Sequence, residues 1–157
     1  MTITEIGAPR TRKEDARLIT GRSRYTDNMV LPGMLHIALL RSPFAHANIT
    51  SLNVAEAKTS PGVVLVLTGK DVADEQGSIP CAWPVTPDQK APSYLPIAID
   101  RVAFAGEIVA CVIARTSAQA RDALDLIDID YDELPAVLDL EEASTDQVLA
   151  QPALGTN

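Results

Sequence analysis

Three aspartates at alternate positions have the spacing that comes nearest to a metal site: Asp128, Asp130 and Asp132. An EF-hand loop begins with oxygen ligands at alternate positions, which this series matches. The rest of such a loop is wrong here, because Glu133 stands where a glycine makes the sharp turn and Asp139 where a long bidentate glutamate closes the loop. Ile129 and Tyr131, between the aspartates, are typical of a strand with one solvated face. The segment therefore predicts a half-buried strand and no metal site.

The histidines and cysteines do not form a recognisable metal or nucleophile motif. His36 and His46 lie on either side of a turn and would approach each other if their strands pair, but two imidazoles do not complete a zinc site. A histidine bonded to the backbone is the favoured interpretation. Cys81 and Cys111 are too far apart in sequence to form the close pair that binds zinc or an iron–sulfur cluster. We expect Cys111 to be buried in an apolar run, and Cys81 to be an exposed loop residue without a partner that would activate its thiol.

Further polar residues stand at the ends of apolar segments. Glu107 precedes the most apolar run, and three roles stay open for it: a functional carboxylate, a group that closes a turn, or an ion-pair partner of Arg101. Arg41, Ser42 and His46 follow another apolar segment, where strand-end and turn chemistry accounts for them. The sequence contains no phosphate-binding glycine loop, dinucleotide motif or serine nucleophile motif. We therefore assign no catalytic, cofactor-binding or metal-binding residue to this chain.

Composition limits the class of protein. The 157 residues are 46% hydrophobic, enough for the core of one domain. A formal charge of −8 argues against a nucleic-acid surface, because the phosphate backbone would repel it. The chain lacks both an apolar run of about 20 residues and a signal-peptide core, so no membrane span is expected and a cytoplasmic location is the default. The first two dozen residues are locally basic and are interpreted as a protein-contacting arm: Arg10, Arg12, Lys13, Arg17, Arg22 and Arg24.

The strands and helices that position these residues are predicted from hydrophobic periodicity and from the turn residues that end each apolar run. Apolar, β-branched segments predict strands at 35–40, 45–52, 63–67, 108–114 and 127–132. Helical turns are predicted at 54–58 and 140–143, and Thr116 with Gln119 forms a capping-box pattern before a longer helix. Val137 and Leu138 offer one further short extended piece. This mixed order, without regular βαβ alternation, predicts an α+β fold with a mixed sheet, in which residues 1–30 form an irregular arm and residues 31–157 a single domain.

A long tract from residue 74 to residue 96 carries five prolines, at positions 80, 84, 87, 92 and 96. Proline lacks a backbone donor and restricts the residue before it, so the tract is predicted to be irregular. A loop of this length in a compact domain is usually functional or makes contacts elsewhere. We expect it to be a contact surface.

Three segments taken in order resemble one enzyme family. They read IGAPRTRKEDARLITGRSRYTDNMVLPGMLHIALLRSPFAHANI, then PGVVLVLTGKDV, then LPIAIDRVAFAGEIVACVIARTSAQARDALDLIDIDYDELPAVLDLEEA. Together they resemble the N-terminal region of the molybdopterin-binding large subunit of the xanthine dehydrogenase and aldehyde oxidase family, and are most similar to its carbon-monoxide-dehydrogenase-like bacterial branch. The resemblance covers residues 6–143 and extends to residues 154–157.

The resemblance implies an a/b hammerhead domain in a molybdenum hydroxylase complex. Such enzymes hydroxylate an aldehyde, an N-heterocycle or carbon monoxide with water-derived oxygen at a molybdenum–pterin cofactor, and pass electrons to iron–sulfur clusters and FAD on partner subunits. The family's cofactor loops and catalytic glutamate belong to later parts of the large subunit, and no residue here matches them. The implied partners are the remainder of the large subunit, the iron–sulfur subunit and the FAD subunit, and the segment alone is expected to be inactive. The resemblance implies that this chain is a fragment, a truncated product or a split-gene subunit. The alternative hypotheses are a free-standing interaction domain and, less favoured, a small autonomous enzyme.

Overall fold

The structure is a computed structural model that describes Gly7 and residues 9–157. Residues 1–6 and residue 8 of the predicted basic arm lie outside the described residues. The chain divides into two compact units, Met1–Met34 and Leu35–Asn157, whereas a boundary at residue 30 stays a prediction. In the first unit a short helix α1, Asp15–Leu18, and a 3₁₀ turn, Thr26–Asn28, interrupt the arm that was predicted to be irregular throughout.

The second unit contains two three-stranded sheets and short helices, which confirms the α+β class. Its strands are β1 His36–Arg41, β2 Ala47–Asn53, β3 Val63–Thr68, β4 Arg101–Val102, β5 Ile108–Ala114 and β6 Asp128–Glu133. Its helices are α2 Ala55–Thr59, α3 Ser117–Leu124 and α4 Leu140–Ala143, followed by a 3₁₀ turn at Pro152–Leu154. The strand orders are β1-β5-β3 and β4-β2-β6, and every pairing among the described strands is antiparallel.

The first sheet is built around the apolar strand β5. This strand lies between β1 and β3, and Val109, Val112 and Ala114 on it are fully buried. Helix α3 packs Ala120 and Ala123 against Val112 and Ala114, and these small residues let the helix approach the sheet closely. Val109 belongs to a second core cluster, with Ala47, Ala98 and Val102. Burial of this strand confirms the prediction made from its continuous apolar run.

The predicted cap of α3 is confirmed in part. Thr116 is the N-cap, and its hydroxyl oxygen accepts a hydrogen bond from the backbone N–H of Gln119 at 3.2 Å. This bond satisfies one of the orphan donors of the first helical turn. The Gln119 side chain accepts a bond from the Thr116 hydroxyl at 3.1 Å, which differs from the expected return bond to the N-cap backbone.

The second sheet contains the alternating aspartates, and it confirms their interpretation as a strand face. In β6, the three aspartates are exposed while Ile129 and Tyr131 are partly buried. The hydroxyl of Ser51 on β2 donates to the Asp130 carboxylate at 2.8 Å. Within Gly7 and residues 9–157, no group of three or more histidine, cysteine or carboxylate side chains is arranged to hold a metal ion.

The strands that carry the two histidines do not pair with each other. His36 begins β1 in the first sheet, whereas His46 immediately precedes β2 in the second. The two histidines were expected to approach each other only if these strands pair, and the strands do not pair. Val137 and Leu138, expected to be extended, belong to no strand. In the described part of the chain, no helix has the length and apolar character needed to cross a bilayer.

The proline-rich tract, residues 74–96, contains neither helix nor strand, as predicted from its prolines. It follows β3 of the first sheet and precedes β4 of the second sheet, so it connects the two sheets. We call it the proline loop below.

Candidate interaction surface

The base of the proline loop is closed by one amide side chain. Gln76 donates from Nε2 to the carbonyls of Gly69 at 3.3 Å and Ile97 at 3.1 Å, and its Oε1 accepts from the Ile97 N–H at 3.1 Å. A backbone bond from Ile79 N–H to the Tyr94 carbonyl, at 2.7 Å, closes the loop one step further out. These bonds satisfy backbone groups at both ends of the loop, as the hydrogen bonds between paired strands would in a sheet. The two ends are therefore held together without regular secondary structure.

Gly69 lets the chain pass close to the returning segment. A Cβ atom at this position would overlap the carbonyl oxygen of Ala98. A backbone atom cannot move aside as the tip of a flexible side chain can, so only glycine fits here. Its carbonyl is also one of the acceptors of Gln76, and the same residue thus serves both the close approach and the closure of the loop.

The outer part of the proline loop exposes large apolar side chains. Trp83 is 83% exposed and Val85 is 82% exposed. The turn that presents them is held by Gln89, which accepts from the Val85 N–H at 2.7 Å and donates to the sulfur of Cys81 at 3.3 Å. Cys81 is exposed, as expected. An exposed tryptophan on an ordered turn is typical of a residue that is buried when a partner binds.

An apolar groove of about 500 Å³ lies beside the inner part of the proline loop. Tyr94 and Phe104 both line it and pack against each other edge to face, with ring centroids 5.9 Å apart. The residues around the groove share an apolar or backbone-bonded character: Arg41, Ile79, Tyr94, Leu95, Pro96, Phe104, Gly106, Glu107 and Ile108.

A β-bulge sets the direction of Arg41 at the edge of this groove. Leu40 pairs with Ala110, but Arg41 pairs with Ile108, so the register between β1 and β5 shifts at this point. The Arg41 guanidinium donates from Nη1 to the Gly106 carbonyl at 2.7 Å. The arginine therefore stabilises the turn at Gly106, and this hydrogen bond uses one of its N–H donors.

Glu107 closes a turn, which is one of the three roles left open by the sequence. Its side chain is buried, and Oε2 accepts a bond from the Ala103 N–H at 2.6 Å. Its backbone carbonyl accepts from the Ser42 N–H at 2.8 Å. Within the described residues no ion pair joins it to Arg101, so the carboxylate holds the backbone that enters β5.

Ser42 also has a local role at the end of β1. Its hydroxyl oxygen accepts from the Phe44 N–H at 3.0 Å and donates to the Phe44 carbonyl at 3.1 Å. Phe44 packs against Tyr131, with centroids 5.1 Å apart, and burial raises the pKa of Tyr131 above its ordinary value of 10.0. The predicted strand-end interpretation of Ser42 agrees with these bonds.

His46 lies in a second, smaller cleft of about 260 Å³. It is 6% exposed, and its Nδ1 is 2.8 Å from the carbonyl oxygen of Pro135. The predicted backbone bond therefore exists for one ring nitrogen. The other, Nε2, is buried and has no hydrogen-bond partner among the described residues.

The cysteine of β5 is a buried thiol. Cys111 lies in β5 and is 7% exposed, as the apolar run predicted. Burial raises its pKa above the ordinary value of 9.0, which keeps it as the neutral thiol.

The C-terminal segment is folded onto itself and onto the proline loop. The Asp146 carboxylate accepts bonds from the Thr156 hydroxyl at 2.9 Å and the Asn157 N–H at 2.7 Å. Those bonds hold the pKa of Asp146 below its ordinary value, with the Asn157 backbone bond making the larger contribution. Lys90 of the proline loop donates to the Leu154 carbonyl at 3.0 Å. The loop and the C-terminal segment thus form one continuous surface.

Sequence reasoning named the loop of residues 74–96 as a contact surface but not the individual residues that hold it and expose its apolar side chains. Gln76 belongs to no motif, and its role depends on two backbone segments that meet only in the fold. Trp83 did carry a signal, because a lone tryptophan in a proline-rich loop has no strand or helix to bury it.

A protein-family model for the aldehyde oxidase and xanthine dehydrogenase a/b hammerhead domain matches residues 20–135. The gamma subunit of the 6-hydroxypseudooxynicotine dehydrogenase complex of Paenarthrobacter nicotinovorans is 35% identical, over 96% of this chain and 19% of its own length. The carbon monoxide dehydrogenase large chain of Afipia carboxidovorans is 36% identical, over 85% of this chain and 16% of its own. The chain thus spans under a fifth of the length of these curated relatives.

Solved structures show the same fold. Quinoline 2-oxidoreductase from Pseudomonas putida 86 matches 97% of this chain and 19% of its own, with a TM-score of 0.85 and 45% identity. Aldehyde oxidoreductase from Desulfovibrio gigas matches 90% of this chain and 16% of its own, with a TM-score of 0.76 and 28% identity. The family model, the relatives and the fold agree: this chain belongs to the a/b hammerhead domain family of aldehyde oxidase and xanthine dehydrogenase.

Proposed function

We propose that this chain acts as a structural domain of a molybdenum hydroxylase large subunit. The observation that carries the proposal is the alignment of nearly the whole chain with one part of much longer large subunits and of a solved oxidoreductase. The full complex would hydroxylate an aldehyde, an N-heterocycle or carbon monoxide with water-derived oxygen. A free-standing interaction domain is less favoured, because its matches are to parts of enzymes.

The described residues do not fit the molybdenum–pterin cofactor. A pterin needs several free donors and acceptors that converge on it. In the larger cleft, one N–H of the Arg41 guanidinium and the Glu107 carboxylate are bonded to backbone groups, and the remaining side chains are apolar apart from the Tyr94 hydroxyl. We therefore propose that the cofactor binds elsewhere in the large subunit, with iron–sulfur clusters and FAD on partner subunits in the cytoplasm.

The role of this domain would be to contact the rest of the complex through the proline loop. Its ends are fixed by Gln76, so ordering it on binding costs little conformational entropy. Its exposed Trp83 and Val85 supply apolar area that the domain itself does not bury. Aromatic anchors of this kind carry a large share of the binding energy at interfaces.

Replacement of Trp83 by alanine in the complete complex tests this role. We expect assembly to weaken by about 2 kcal/mol, the usual loss at an interface hot spot. Leu140→Ser is the matched control, because Leu140 is 89% exposed but lies in α4, outside the loop. Co-elution of the subunits in size-exclusion chromatography measures the effect. Unchanged assembly and turnover after deletion of residues 77–92 would contradict the contact role.

Metal analysis of the purified 157-residue chain tests the assignment of the cofactor. We expect no stoichiometric molybdenum on this chain alone. Bound molybdenum in a one-to-one ratio would overturn the structural role.

A further inference from the structure

The first sheet has two apolar faces that differ in how they are covered. Residues directly opposite each other on antiparallel strands point to the same face, so the registers of β1, β5 and β3 assign each side chain to a face. Helix α3 contacts all three strands on one side. The residues of that side belong to the core or pack against it: Ala38, Leu40, Val63, Val66, Ala110, Val112 and Ala114.

The other side, which we call the open face, carries two rows of apolar residues across the three strands. Its members are Ile37, Leu39, Leu65, Leu67, Cys111 and Ile113. None of the six belongs to either core cluster of the described residues. Ile37 is 64% exposed and Leu65 is 45% exposed, and the two flank the partly buried Ile113.

The open face has the composition of an interior surface. A sheet buries its apolar face against another layer, because contact between apolar surface and water costs free energy. The solvated face of β6 in the same domain shows the contrast, since its exposed positions carry aspartate. The continuous apolar run of β5, Ile108–Ala114, is also the pattern of a strand that is covered on both faces.

The width of the open face suits one further packed segment. Three strands at a spacing of about 4.8 Å present a face about 10 Å wide. A helix with its side chains is about 10–12 Å across. On the opposite side α3 alone reaches all three strands, so one segment is enough to cover a face of this width.

We propose that the open face is buried by an apolar segment from the rest of the large subunit, which packs on the sheet opposite α3. This rests on the proposed function, and the relatives have about four fifths of their length outside the aligned stretch, which supplies the segment. A second copy of this chain is disfavoured as the occupant, because two chains with a formal charge of −8 each repel one another. The contact is distinct from that of the proline loop.

Modification of a cysteine placed on the open face of the complete complex tests its burial. Ile37→Cys keeps a small apolar side chain at this position. We expect a maleimide to modify this cysteine at least about tenfold more slowly in the native complex than in the urea-unfolded complex, because the packed layer must open first. A smaller difference, or equal protection of Asp132→Cys on the solvated face of β6, would overturn the proposal.

A matched pair of variants tests whether the covering layer is apolar. Ile37→Val and Ile37→Thr both keep a β-branched side chain in the strand, but the second places a hydroxyl against the layer. With Leu65→Cys as the reporter in the complete complex, Ile37→Thr should speed modification about tenfold relative to Ile37→Val, because a buried hydroxyl without a partner weakens the packing. Equal rates in the two variants would overturn an apolar contact.

Crosslinking identifies the source of the layer. A photoreactive p-benzoylphenylalanine at Ile37 in the complete complex should crosslink to a large-subunit peptide outside these 157 residues. Crosslinks only within the 157 residues, to a second copy or to another subunit, or none at all, would overturn the proposed occupant. These outcomes leave the proposed function standing, because the Trp83 variant and the molybdenum analysis test it independently of this face.

Discussion

Two clefts of the second unit, the groove beside the proline loop and the His46 cleft, differ in how completely their polar side chains are bonded. The groove beside the proline loop is the larger, at about 500 Å³, yet its arginine and glutamate are bonded to Gly106 and Ala103. The His46 cleft is about half that size, but it contains a buried acceptor without a partner. The larger cleft is thus the one whose charged side chains are bonded to the backbone, whereas the smaller one has a buried polar atom whose lack of a partner costs free energy.

The comparison also separates two kinds of contact. The groove region uses polar side chains to hold its own backbone, as a scaffold does. At the His46 cleft, one buried ring nitrogen has no hydrogen-bond partner among the described residues. Variants that remove each feature should therefore have unequal effects on the free energy of unfolding.

The largest effect should come from Gly69→Ala, at the base of the proline loop that borders the groove. The added Cβ would overlap the Ala98 carbonyl, so the backbone must shift and the bonds of Gln76 must lengthen. We expect a loss of about 3 kcal/mol in the free energy of unfolding, measured by urea denaturation. Gly77→Ala is the control, because a Cβ there meets nothing within 4 Å. Equal losses in the two variants would remove the close approach as a cause.

Glu107→Ala should cost about 2 kcal/mol, because it leaves the Ala103 N–H without its acceptor. Glu107→Gln keeps an acceptor oxygen and should restore most of the loss. Glu133→Ala, at the exposed end of β6, is a matched control with an expected change under about 0.5 kcal/mol. If Glu107→Ala unfolds no more easily than the control, the bond from the Glu107 carboxylate to the Ala103 N–H does not stabilise the fold, and this side of the comparison fails.

His46→Phe should change stability by less than about 1 kcal/mol. The variant loses the bond to Pro135 but also removes the unpaired Nε2, and these two effects oppose each other. Thermal and urea unfolding beside His36→Phe measure the difference. A loss of more than about 2 kcal/mol would mean that both ring nitrogens are bonded, and the contrast between the clefts would fail.

The smallest effect concerns an exposed carboxylate at the end of β3. The Thr68 hydroxyl donates to Asp71 at 2.6 Å and its N–H donates at 2.7 Å. The side-chain bond, then the backbone bond, hold the pKa of Asp71 below its ordinary value of 3.8. A depressed folded pKa contributes stability above the unfolded value, and that stability is lost as the pH falls through the folded value.

Asp71→Asn should therefore cost about 0.5 kcal/mol near neutral pH, and the difference from wild type should shrink as the pH falls below 3.8. Urea unfolding across that range measures it, with Asp74→Asn as an exposed control. A difference that stays constant to the acid limit would exclude the charge of Asp71 as its cause.

Much of the fold could be predicted from local patterns. The run at 108–114 predicted β5 with its observed bounds, and the period-two aspartates predicted β6. The two-residue strand β4 was missed, because Arg101–Val102 is too short to show a period and pairs only with β2. The division into two sheets was missed as well, since periodicity says which face is buried but not which strand lies beside it.

The sequence by itself determined every described strand except β4, the cap at Thr116, the irregular proline loop and the family, because each depends on patterns that can be read along the chain. Tertiary structure decided what the polar residues do. The Glu107 carboxylate accepts from the Ala103 N–H in a turn, and the Gln76 amide donates to the Ile97 carbonyl and closes the base of the proline loop. Both partners are backbone groups that only folding brings into position. His46 has one satisfied nitrogen and one free nitrogen for the same reason: Pro135 is 89 positions away in sequence and meets only one side of the ring.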